Sequence, residues 1–346
     1  MRAVVFEGEG LVRVAEVPDP AILRPRDAIV RVTRAGVCGS DLHFFHLKAP
    51  IDPGEVMGHE GVGVVEAVGE EVTSVAPGDR VVVAFHAACG ECWFCRRGET
   101  ALCEDFRNFG AGAFSGGLAG TQAELVRVPV ADVNLLPIPE EVEDDAAIFV
   151  GDVLTTGVYA AALAAPEPDD VVAVVGAGPV GVCTVLALKA AAAGRVIALD
   201  READRLALAA AAGAEPVHVD ERNPEMALSA ITGDRGADVV VEAVGHPAAF
   251  ATALDVVRRG GRIVVVGMYA GETTELQLGI WWARALTVRF AGVCPVHAYW
   301  HRAMEGLARG SLDPRPLISH RLPLARAQEA FELFDARRAT KVLLTP

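Results

Sequence analysis

Short apolar runs separated by glycine and proline fill the first part of the chain, residues 1–150. The runs have the length of β-strands, and many of their residues are β-branched, which strand positions favour. They read RAVVF (2–6), AIVRV (28–32), VGVVEAVG (62–69), DRVVV (79–83) and AELVRVP (123–129). The pattern predicts a mainly β domain.

After residue 150 the pattern changes, and apolar strands alternate with alanine-rich segments of helical length. The predicted strands are VVAVV (171–175), VIALD (196–200), PVHVD (216–220), ADVVVEAVG (237–245) and RIVVVG (262–267). Gly194 and Gly213 stand where the C-terminal caps of helices usually lie. Apolar strands that alternate with helices predict a parallel sheet covered by helices on both faces.

Near residue 295 the alternation stops. Two helix-like stretches, 297–309 and 324–335, lead to the apolar strand KVLLTP at the end. We expect this tail to return to the first domain. The predicted fold class is α/β, with a doubly wound parallel-sheet domain over 153–294. A mainly β domain is predicted to comprise 1–152 and 295–346.

Composition and charge restrict the possible function. The 346 residues suit about two domains, and 52% hydrophobic with 22% charged residues is typical of a globular protein. A net charge of −15 disfavours nucleic acid or an anionic membrane surface as a partner. The start MRAVVFEGEG lacks the apolar run of a signal peptide, so we expect a cytoplasmic protein.

Four of the seven cysteines lie in one short segment, CGECWFCRRGETALC (89–103). Disulfides are rare in a reducing cytoplasm, so the cluster predicts a metal site rather than cross-links. Cys89, Cys92, Cys95 and Cys103 would fill the tetrahedral coordination sphere of Zn²⁺ and leave no position for a substrate. The segment is therefore predicted to be a structural zinc lobe, with an iron–sulfur cluster as the alternative.

A glycine-rich loop follows the strand VVAVV directly and precedes a predicted helix. Its residues are Gly176, Ala177, Gly178, Pro179, Val180 and Gly181. The next strand ends in Asp200, so the whole context predicts a Rossmann dinucleotide site, with the pyrophosphate at the helix N-terminus. Asp200 would accept hydrogen bonds from the ribose hydroxyls and repel a 2′-phosphate, which favours NAD over NADP. Arg201 beside it works against that preference, and a plain glycine turn is the alternative reading.

A second group of possible zinc ligands lies nearer the N-terminus. Cys38 opens CGSDLH (38–43), and GHEGVG (58–63) follows. The longer stretch GHEGVGVVEAVGEEV (58–72) matches the signature GHE-x2-G-x5-G-x2-V at every fixed position. On this signature, the cysteine lobe and the loop GAGPVG, the chain resembles the zinc-dependent medium-chain dehydrogenases, or alcohol dehydrogenases, throughout its length.

The resemblance implies a GroES-like catalytic domain, a Rossmann NAD-binding domain and two zinc ions per chain. It implies that Cys38, His59 and Asp152 bind a catalytic zinc, although an aspartate before a helix can also serve as an N-cap. Glu60 resembles the family's alternative ligand. Asp41 would hold the His59 ring through its other nitrogen.

Other roles are implied by the same resemblance. Ser40 and His43 match a proton relay, with a surface histidine of no special role as the alternative for His43. Thr156 would lie near the nicotinamide, Arg205 along the adenosine ribose, and Gly267 in the cofactor site. The implied activity is reversible hydride transfer between NAD and a small-molecule alcohol or its aldehyde or ketone.

Finer features favour one branch of the family. The stretch GTQAELVRVPVADVNLLPIP (120–139) resembles formaldehyde-dehydrogenase-like and broad-range bacterial alcohol dehydrogenases, and GD at 151–152 replaces the EP-type motif of polyol enzymes. A primary, secondary or cyclic alcohol is therefore the expected substrate. A polyol dehydrogenase is the alternative, and a non-catalytic NAD- or zinc-binding sensor is a third reading.

The resemblance also implies oligomers, with a homotetramer expected and a dimer second. The segment LTVRFAGV (286–293) is predicted to be a strand at the edge of the sheet, which is aggregation-prone when left bare. Cys294, Trp281 and Trp282 receive no role from the sequence.

Overall fold

The computed structural model describes residues 1–271 and 273–346. The chain divides into two compact units. The first comprises Met1–Thr155 together with Pro295–Pro346, and the second comprises Thr156–Cys294.

The strands and helices are numbered here in chain order. The strands are β1 (Arg2–Gly8), β2 (Leu11–Glu16), β3 (Ala28–Val37), β4 (Gly61–Val68), β5 (Arg80–Val83), β6 (His86–Ala87), β7 (Arg107–Asn108), β8 (Leu125–Val128), β9 (Leu135–Pro137), β10 (Val171–Val175), β11 (Arg195–Asp200), β12 (Glu215–His218), β13 (Ala237–Glu242), β14 (Val257–Val265), β15 (Thr287–Phe290), β16 (Ile318–Pro323) and β17 (Lys341–Thr345). The helices are α1 (Asp41–Phe45), α2 (Ala131–Asn134), α3 (Asp144–Ala147), α4 (Val153–Ala164), α5 (Pro179–Ala190), α6 (Ala203–Ala211), α7 (Pro224–Thr232), α8 (Pro247–Val256), α9 (Leu278–Ala283), α10 (Val296–Ala308) and α11 (Ala327–Asp335).

The first unit is built on a seven-stranded sheet in the order β16-β17-β3-β4-β5-β9, with β8 also paired to β3. Alternating small apolar residues turn one face of these strands toward a core that includes Phe6, Val30, Val81 and Phe331. The final strand β17 pairs antiparallel with β3, with Val342 opposite Val37. The end of the chain therefore lies beside a strand from its beginning.

The second unit holds a six-stranded parallel sheet in the order β12-β11-β10-β13-β14-β15. Its central strand β10 is buried at every position, as the unbroken apolar run VVAVV predicts. Strand β14 begins at Val257, before the predicted start at residue 262, and its register against β13 shifts between Ala237 and Val239. The segment predicted to be an edge strand forms β15, and β15 does lie at the edge of this sheet.

Within the described ranges 1–271 and 273–346, no single helix has the length and apolar composition needed to cross a membrane. One bent pair, Asp144–Gly151 with Val153–Ala164, passes by length and composition alone.

Candidate metal centres and cofactor loop

The four clustered cysteines converge in a lobe that contains two 3-10 turns, Cys95–Arg97 and Thr100–Leu102. The Sγ atoms of Cys89 and Cys95 lie 3.9 Å apart, and those of Cys92 and Cys103 lie 4.0 Å apart. A disulfide requires about 2.05 Å, and all four thiols are free. Zn–S bonds of about 2.3 Å in a tetrahedron separate the sulfurs by about 3.8 Å. The spacing fits one tetrahedral ion, whereas an iron–sulfur cluster would hold the sulfurs further apart.

Backbone amides of the lobe point at its sulfur atoms. The Cys92 N–H donates to Cys89 Sγ at 3.3 Å, and the Cys89 N–H donates to Cys103 Sγ at 3.2 Å. Amide donors, the Cys95 N–H first, lower the pKa of Cys92 to about 6. Metals bind the thiolate form, so these amides favour the ligand state of Cys92, while burial raises the pKa of Cys95 and of Cys103.

The second candidate site forms where strands β3 and β4 meet. Because Ala35 pairs with Gly61, Cys38 just after β3 comes close to His59 just before β4. Asp152 follows the 3-10 turn Ile148–Gly151. The Phe85 N–H donates a hydrogen bond to the Gly151 carbonyl and so fixes the end of this turn. The sequence separation is large, and sheet pairing brings these residues together.

The three side chains converge in the interior of the first unit. Asp152 Oδ2 lies 3.3 Å from His59 Nε2 and 3.5 Å from Cys38 Sγ. One ligand atom from each of these residues, and one from Glu60, all lie within 4.8 Å of one another. Thiolate, imidazole and carboxylate are the ligand types that Zn²⁺ uses. The residues present therefore fit the zinc ion that the sequence implies.

A buried carboxylate orients the His59 ring. Asp41 Oδ1 lies 3.0 Å from His59 Nδ1, which leaves Nε2 facing Asp152. Asp41 Oδ2 accepts a hydrogen bond from the Cys38 N–H at 2.9 Å, so Asp41 contacts both candidate ligands. A carboxylate on the second nitrogen of a ligating histidine fixes the tautomer and raises its basicity.

The charges of this site call for a cation. Burial, followed by the charges of Asp152 and Glu60, raises the pKa of the Cys38 thiol. Burial alone lowers the pKa of His59, but Asp41 and Asp152 outweigh it and raise the pKa well above its ordinary value. Metal binding must therefore displace protons from both residues, so acid opposes metal uptake.

Glu60 adjoins His59 in sequence, but a lysine holds its carboxylate. Lys341 Nζ, on strand β17, lies 2.6 Å from both Glu60 oxygens. Burial raises the pKa of Glu60, and the Lys341 ammonium offsets part of this rise. Lys341 could not be predicted, because one lysine at the start of a terminal strand carries no signal of a partner so far away in sequence.

The predicted relay residues both belong to the α1 region. Ser40 precedes α1, and its Oγ lies 3.3 Å from His59 Nε2. His43 lies in the last turn of α1 and is half-buried. The structure thus brings Ser40 to the candidate metal site, with His43 three residues further along the same short helix.

The glycine-rich loop joins β10 to α5 in the second unit. A Cβ on Gly181 would lie 1.9 Å from the Gly176 carbonyl oxygen, so only glycine allows the helix to pack this closely on the loop. A Cβ on Gly178 would meet nothing within 4 Å, which leaves open space at that position. Pro179 occupies the first turn of α5, and Val180 follows it. These are the features by which such loops receive a pyrophosphate.

Asp200 is the last residue of β11, and its carboxylate contacts the glycine-rich loop. Its Oδ2 accepts from the Ala177 N–H at 2.6 Å, and its Oδ1 accepts from the Arg201 and Glu202 amides at 2.7 and 3.0 Å. A carboxylate has about four acceptor sites and three are used, so about one remains for a ribose hydroxyl. The sequence predicted the acidic residue and missed its bond to the loop.

The remaining predicted cofactor residues also belong to the second unit. Arg205 lies half-buried on α6, Thr156 lies half-buried on α4, and Gly267 follows β14. A Cβ on Gly267 would lie 2.0 Å from the Gly245 nitrogen, so two loops meet there backbone to backbone.

The three residues that the sequence left without a role have clear positions. Cys294 is buried, and Trp281 packs edge-on against Phe250 with ring centroids 5.9 Å apart. Trp282 is 85% exposed.

This combination of a GroES-like sheet unit, a parallel nucleotide-binding sheet and two metal-ligand clusters defines a zinc-binding dehydrogenase, and comparisons with known proteins agree. The alcohol dehydrogenase GroES-like domain matches residues 24–140, and the zinc-binding dehydrogenase domain matches residues 179–309. The uncharacterized zinc-type alcohol dehydrogenase-like protein AdhB of Bacillus subtilis is 35% identical, with both chains covered completely.

Solved structures give the same result. Alcohol dehydrogenase TADH from Thermus sp. ATN1 is 44% identical with a TM-score of 0.96, over 100% of this chain and 99% of that one. A structure from Sinorhizobium meliloti 1021, described as a zinc-binding dehydrogenase bound to NADP, is 29% identical with a TM-score of 0.86, over 100% and 99%. The chain belongs to the zinc-dependent medium-chain alcohol dehydrogenase family, as its motifs predicted.

Proposed function

We propose that this protein is an NAD-dependent zinc alcohol dehydrogenase that interconverts a primary, secondary or cyclic alcohol with its aldehyde or ketone. The observation that carries the proposal is the convergence of Cys38 Sγ, His59 Nε2 and Asp152 Oδ2. Glu60 is held by Lys341 instead. Three protein ligands with one open position are the arrangement of a catalytic zinc site.

Zinc bound there would act as a Lewis acid on the substrate oxygen and lower the pKa of the hydroxyl group. Asp41 holds the His59 ring, so the ligand keeps one orientation. Ser40 Oγ, 3.3 Å from His59 Nε2, is close enough to the site to accept the substrate's proton. Ser40 would in turn give its own hydroxyl proton to the nicotinamide ribose hydroxyl, and His43 would pass it on to solvent.

The cofactor is NAD in this proposal. The open space at Gly178 and the start of α5 receive the pyrophosphate, whose charge the helix N-terminus stabilises. Asp200 accepts hydrogen bonds from the ribose and repels a 2′-phosphate. A matched structure does hold NADP, so the preference depends on the Asp200 carboxylate of this chain.

Assembly as a homotetramer, or else as a dimer, is also part of the proposal. Within residues 1–271 and 273–346, β15 pairs with β14 alone, so its outer side offers backbone groups to another chain. Phe290 on this strand is 67% exposed, and Trp282 and Leu278 on α9 are 85% and 67% exposed. Large exposed apolar residues around a bare edge support pairing with a second copy.

The test is an assay of the zinc-loaded protein with a panel of alcohols, using NAD⁺ and NADP⁺ separately. Primary, secondary or cyclic alcohols should reduce NAD⁺, and the substrate with the highest kcat/KM in the panel should be one of them. Polyols such as sorbitol belong in the panel, because preference for them would move the substrate class to polyols. No turnover of any alcohol by protein with both sites loaded would contradict the proposal and favour a binding role.

A further inference from the structure

Glu242 is a buried carboxylate in the second unit that the proposed chemistry does not use. It is the last residue of β13, and it is fully buried. Its Oε1 accepts hydrogen bonds from the Val244 and Gly245 N–H groups at 2.7 and 2.9 Å, and its Oε2 accepts one from the Tyr269 hydroxyl at 3.2 Å. Burial raises the pKa of Glu242, and these three donors act against that rise. A buried carboxylate is costly unless donors satisfy it, so the bonds favour one arrangement of their partners.

Glu242 connects two segments that follow neighbouring strands of the parallel sheet. One is the β13 turn, residues 243–246, and the other is the β14 loop, residues 266–269. The Val266 and Gly267 N–H groups donate to the Glu242 carbonyl at 2.8 and 3.0 Å. Glu242 thus binds the start of the β14 loop through its backbone and the last residue of that loop through its carboxylate.

The β13 turn and the β14 loop also contact each other directly. A Cβ on Gly245 would lie 2.2 Å from the Met268 carbonyl oxygen, so the two backbones touch there. The Tyr269 hydroxyl lies 3.4 Å from the His246 carbonyl, in addition to its bond with Glu242. The hydroxyl therefore joins the end of the β14 loop to the β13 turn.

Both segments lie on one side of the proposed dinucleotide site. A Cβ on Gly176 would lie 2.5 Å from the Val244 side chain, so the β13 turn packs against the glycine-rich loop. The strand order β12-β11-β10-β13-β14-β15 reverses direction between β10 and β13. Dinucleotides bind across such a reversal, with one mononucleotide half on each side. Asp200, proposed to bind the adenosine ribose, ends β11 on one side, so the β13 turn and the β14 loop belong to the nicotinamide side.

We propose that Tyr269 and Glu242 are positioning residues for the nicotinamide half of the dinucleotide. Their hydrogen bond fixes the β14 loop against the β13 turn before the cofactor arrives, so binding does not have to order the loop. Both residues act through the backbone of these segments and not by contact with the reacting atoms. The inference rests on the proposed dinucleotide site.

The experiment compares two ligands of full-length, zinc-loaded protein by isothermal titration calorimetry. NADH is the complete dinucleotide, and ADP-ribose lacks the nicotinamide. Tyr269→Phe removes the hydroxyl but leaves the amide bonds of the β13 turn. It should weaken NADH binding by about threefold to tenfold, as expected for one hydrogen bond, and leave ADP-ribose binding unchanged. Tyr299→Phe, on α10 of the first unit, is the matched control and should change neither dissociation constant.

Two Glu242 variants test the same bond from its acceptor side. Glu242→Gln keeps an oxygen for the two amides and an NH2 group that can donate to the Tyr269 oxygen, so it should bind NADH like the wild type. Glu242→Ala frees the β13 turn as well and should weaken NADH binding further than Tyr269→Phe does. If Glu242→Ala fails to fold, Tyr269→Phe still decides, because it removes only one oxygen atom from a half-buried side chain.

Two results for Tyr269→Phe would overturn the inference. Unchanged NADH binding would show that the hydroxyl does not position the cofactor. Equal weakening of NADH and ADP-ribose would show that the bond supports the fold in general and not the nicotinamide side. A wild type that binds neither ligand would overturn the proposed function together with the inference.

Discussion

Asp200 is the residue on which the proposed preference for NAD rests. Its carboxylate accepts three backbone hydrogen bonds, including one from Ala177 in the cofactor loop. It therefore has two effects, a negative charge against a 2′-phosphate and a bond that shapes the loop. Two substitutions can separate these effects.

Asp200→Asn removes the charge and keeps one side-chain oxygen that can accept from the Ala177 N–H, while its NH2 group loses the bonds from the Arg201 and Glu202 amides. We expect the ratio of kcat/KM for NAD⁺ over NADP⁺ to fall by about tenfold or more, which is about 1.4 kcal/mol or more. Asp200→Gly removes both effects, so it should lower the same ratio and also raise the KM for NAD⁺. A wild type that prefers NADP⁺, or an unchanged ratio in Asp200→Asn, would show that the carboxylate does not select the cofactor.

Single residues also mark the limit of prediction from the sequence. The four lobe cysteines could be predicted as ligands because ligand chemistry restricts residue type and local spacing, whereas residue type alone marked Cys38 and His59 only as possible ligands and the family resemblance gave their role. Asp152 required the family resemblance. Lys341 could not be found, since its pairing with Glu60 depends on how β17 docks against β3, and sequence patterns do not give that register.

At the scale of elements, a histidine on helix α10 forms a hydrogen bond with the cysteine lobe. His297 Nδ1 lies 2.9 Å from Thr100 Oγ1 in the lobe, and its Nε2 lies 2.8 Å from Asn134 Oδ1. The Asn134 oxygen also accepts from the Ala88 N–H, so Nε2 must be the donor. Buried His86 packs against the same ring, with centroids 4.9 Å apart.

This contact predicts acid sensitivity. Burial lowers the pKa of His297 from 6.5 to about 3, and burial followed by His297 lowers the pKa of His86. In the folded state both histidine side chains are therefore uncharged, whereas in the unfolded state they take up protons below about pH 6.5. The stabilisation from His297 is complete above that pH and decreases as pH falls from 6.5 toward 3, by about 1.4 kcal/mol per unit, and His86 adds a loss of the same sign.

The measurement is the thermal midpoint of unfolding between pH 7.5 and 5.0. His297→Gln retains a donor and an acceptor but cannot be protonated, so its midpoint should fall less with acid than that of the wild type. His301→Gln on the exposed side of α10 is the matched control and should behave like the wild type. If the thermal midpoints of the wild type and His297→Gln fell equally with acid, His297 would not be the cause of the acid sensitivity.

Elements were predicted more reliably than their contacts. The apolar runs indicated the central strands β10, β11 and β13, because a strand buried on both faces needs a continuous apolar sequence. The early start of β14 was missed, since RRGG has no strand pattern. The bond between α10 and the lobe was missed as well, because it joins His297 to residues far away in sequence.

For the whole molecule, the edge strand predicts the state of assembly. Phe290→Lys places a charge on the exposed edge at β15 and should convert the expected tetramer into a smaller species. The size is read by light scattering coupled to gel filtration. Phe114→Lys is the control, because Phe114 is 81% exposed but belongs to the first unit, whereas β15 belongs to the second. A wild-type monomer at micromolar concentration would contradict the prediction.

The central claim is that Asp152 completes a catalytic zinc site separate from the cysteine lobe. Elemental analysis of purified wild type and Asp152→Ala tests it most directly, with Glu60→Gln as the matched carboxylate control. We predict about two zinc ions per chain in the wild type and in Glu60→Gln, and about one in Asp152→Ala. The Asp152→Ala protein should still fold and bind NAD, but its activity should fall by orders of magnitude, at about 1.4 kcal/mol per tenfold. Two zinc ions and near-normal turnover in Asp152→Ala would contradict this account.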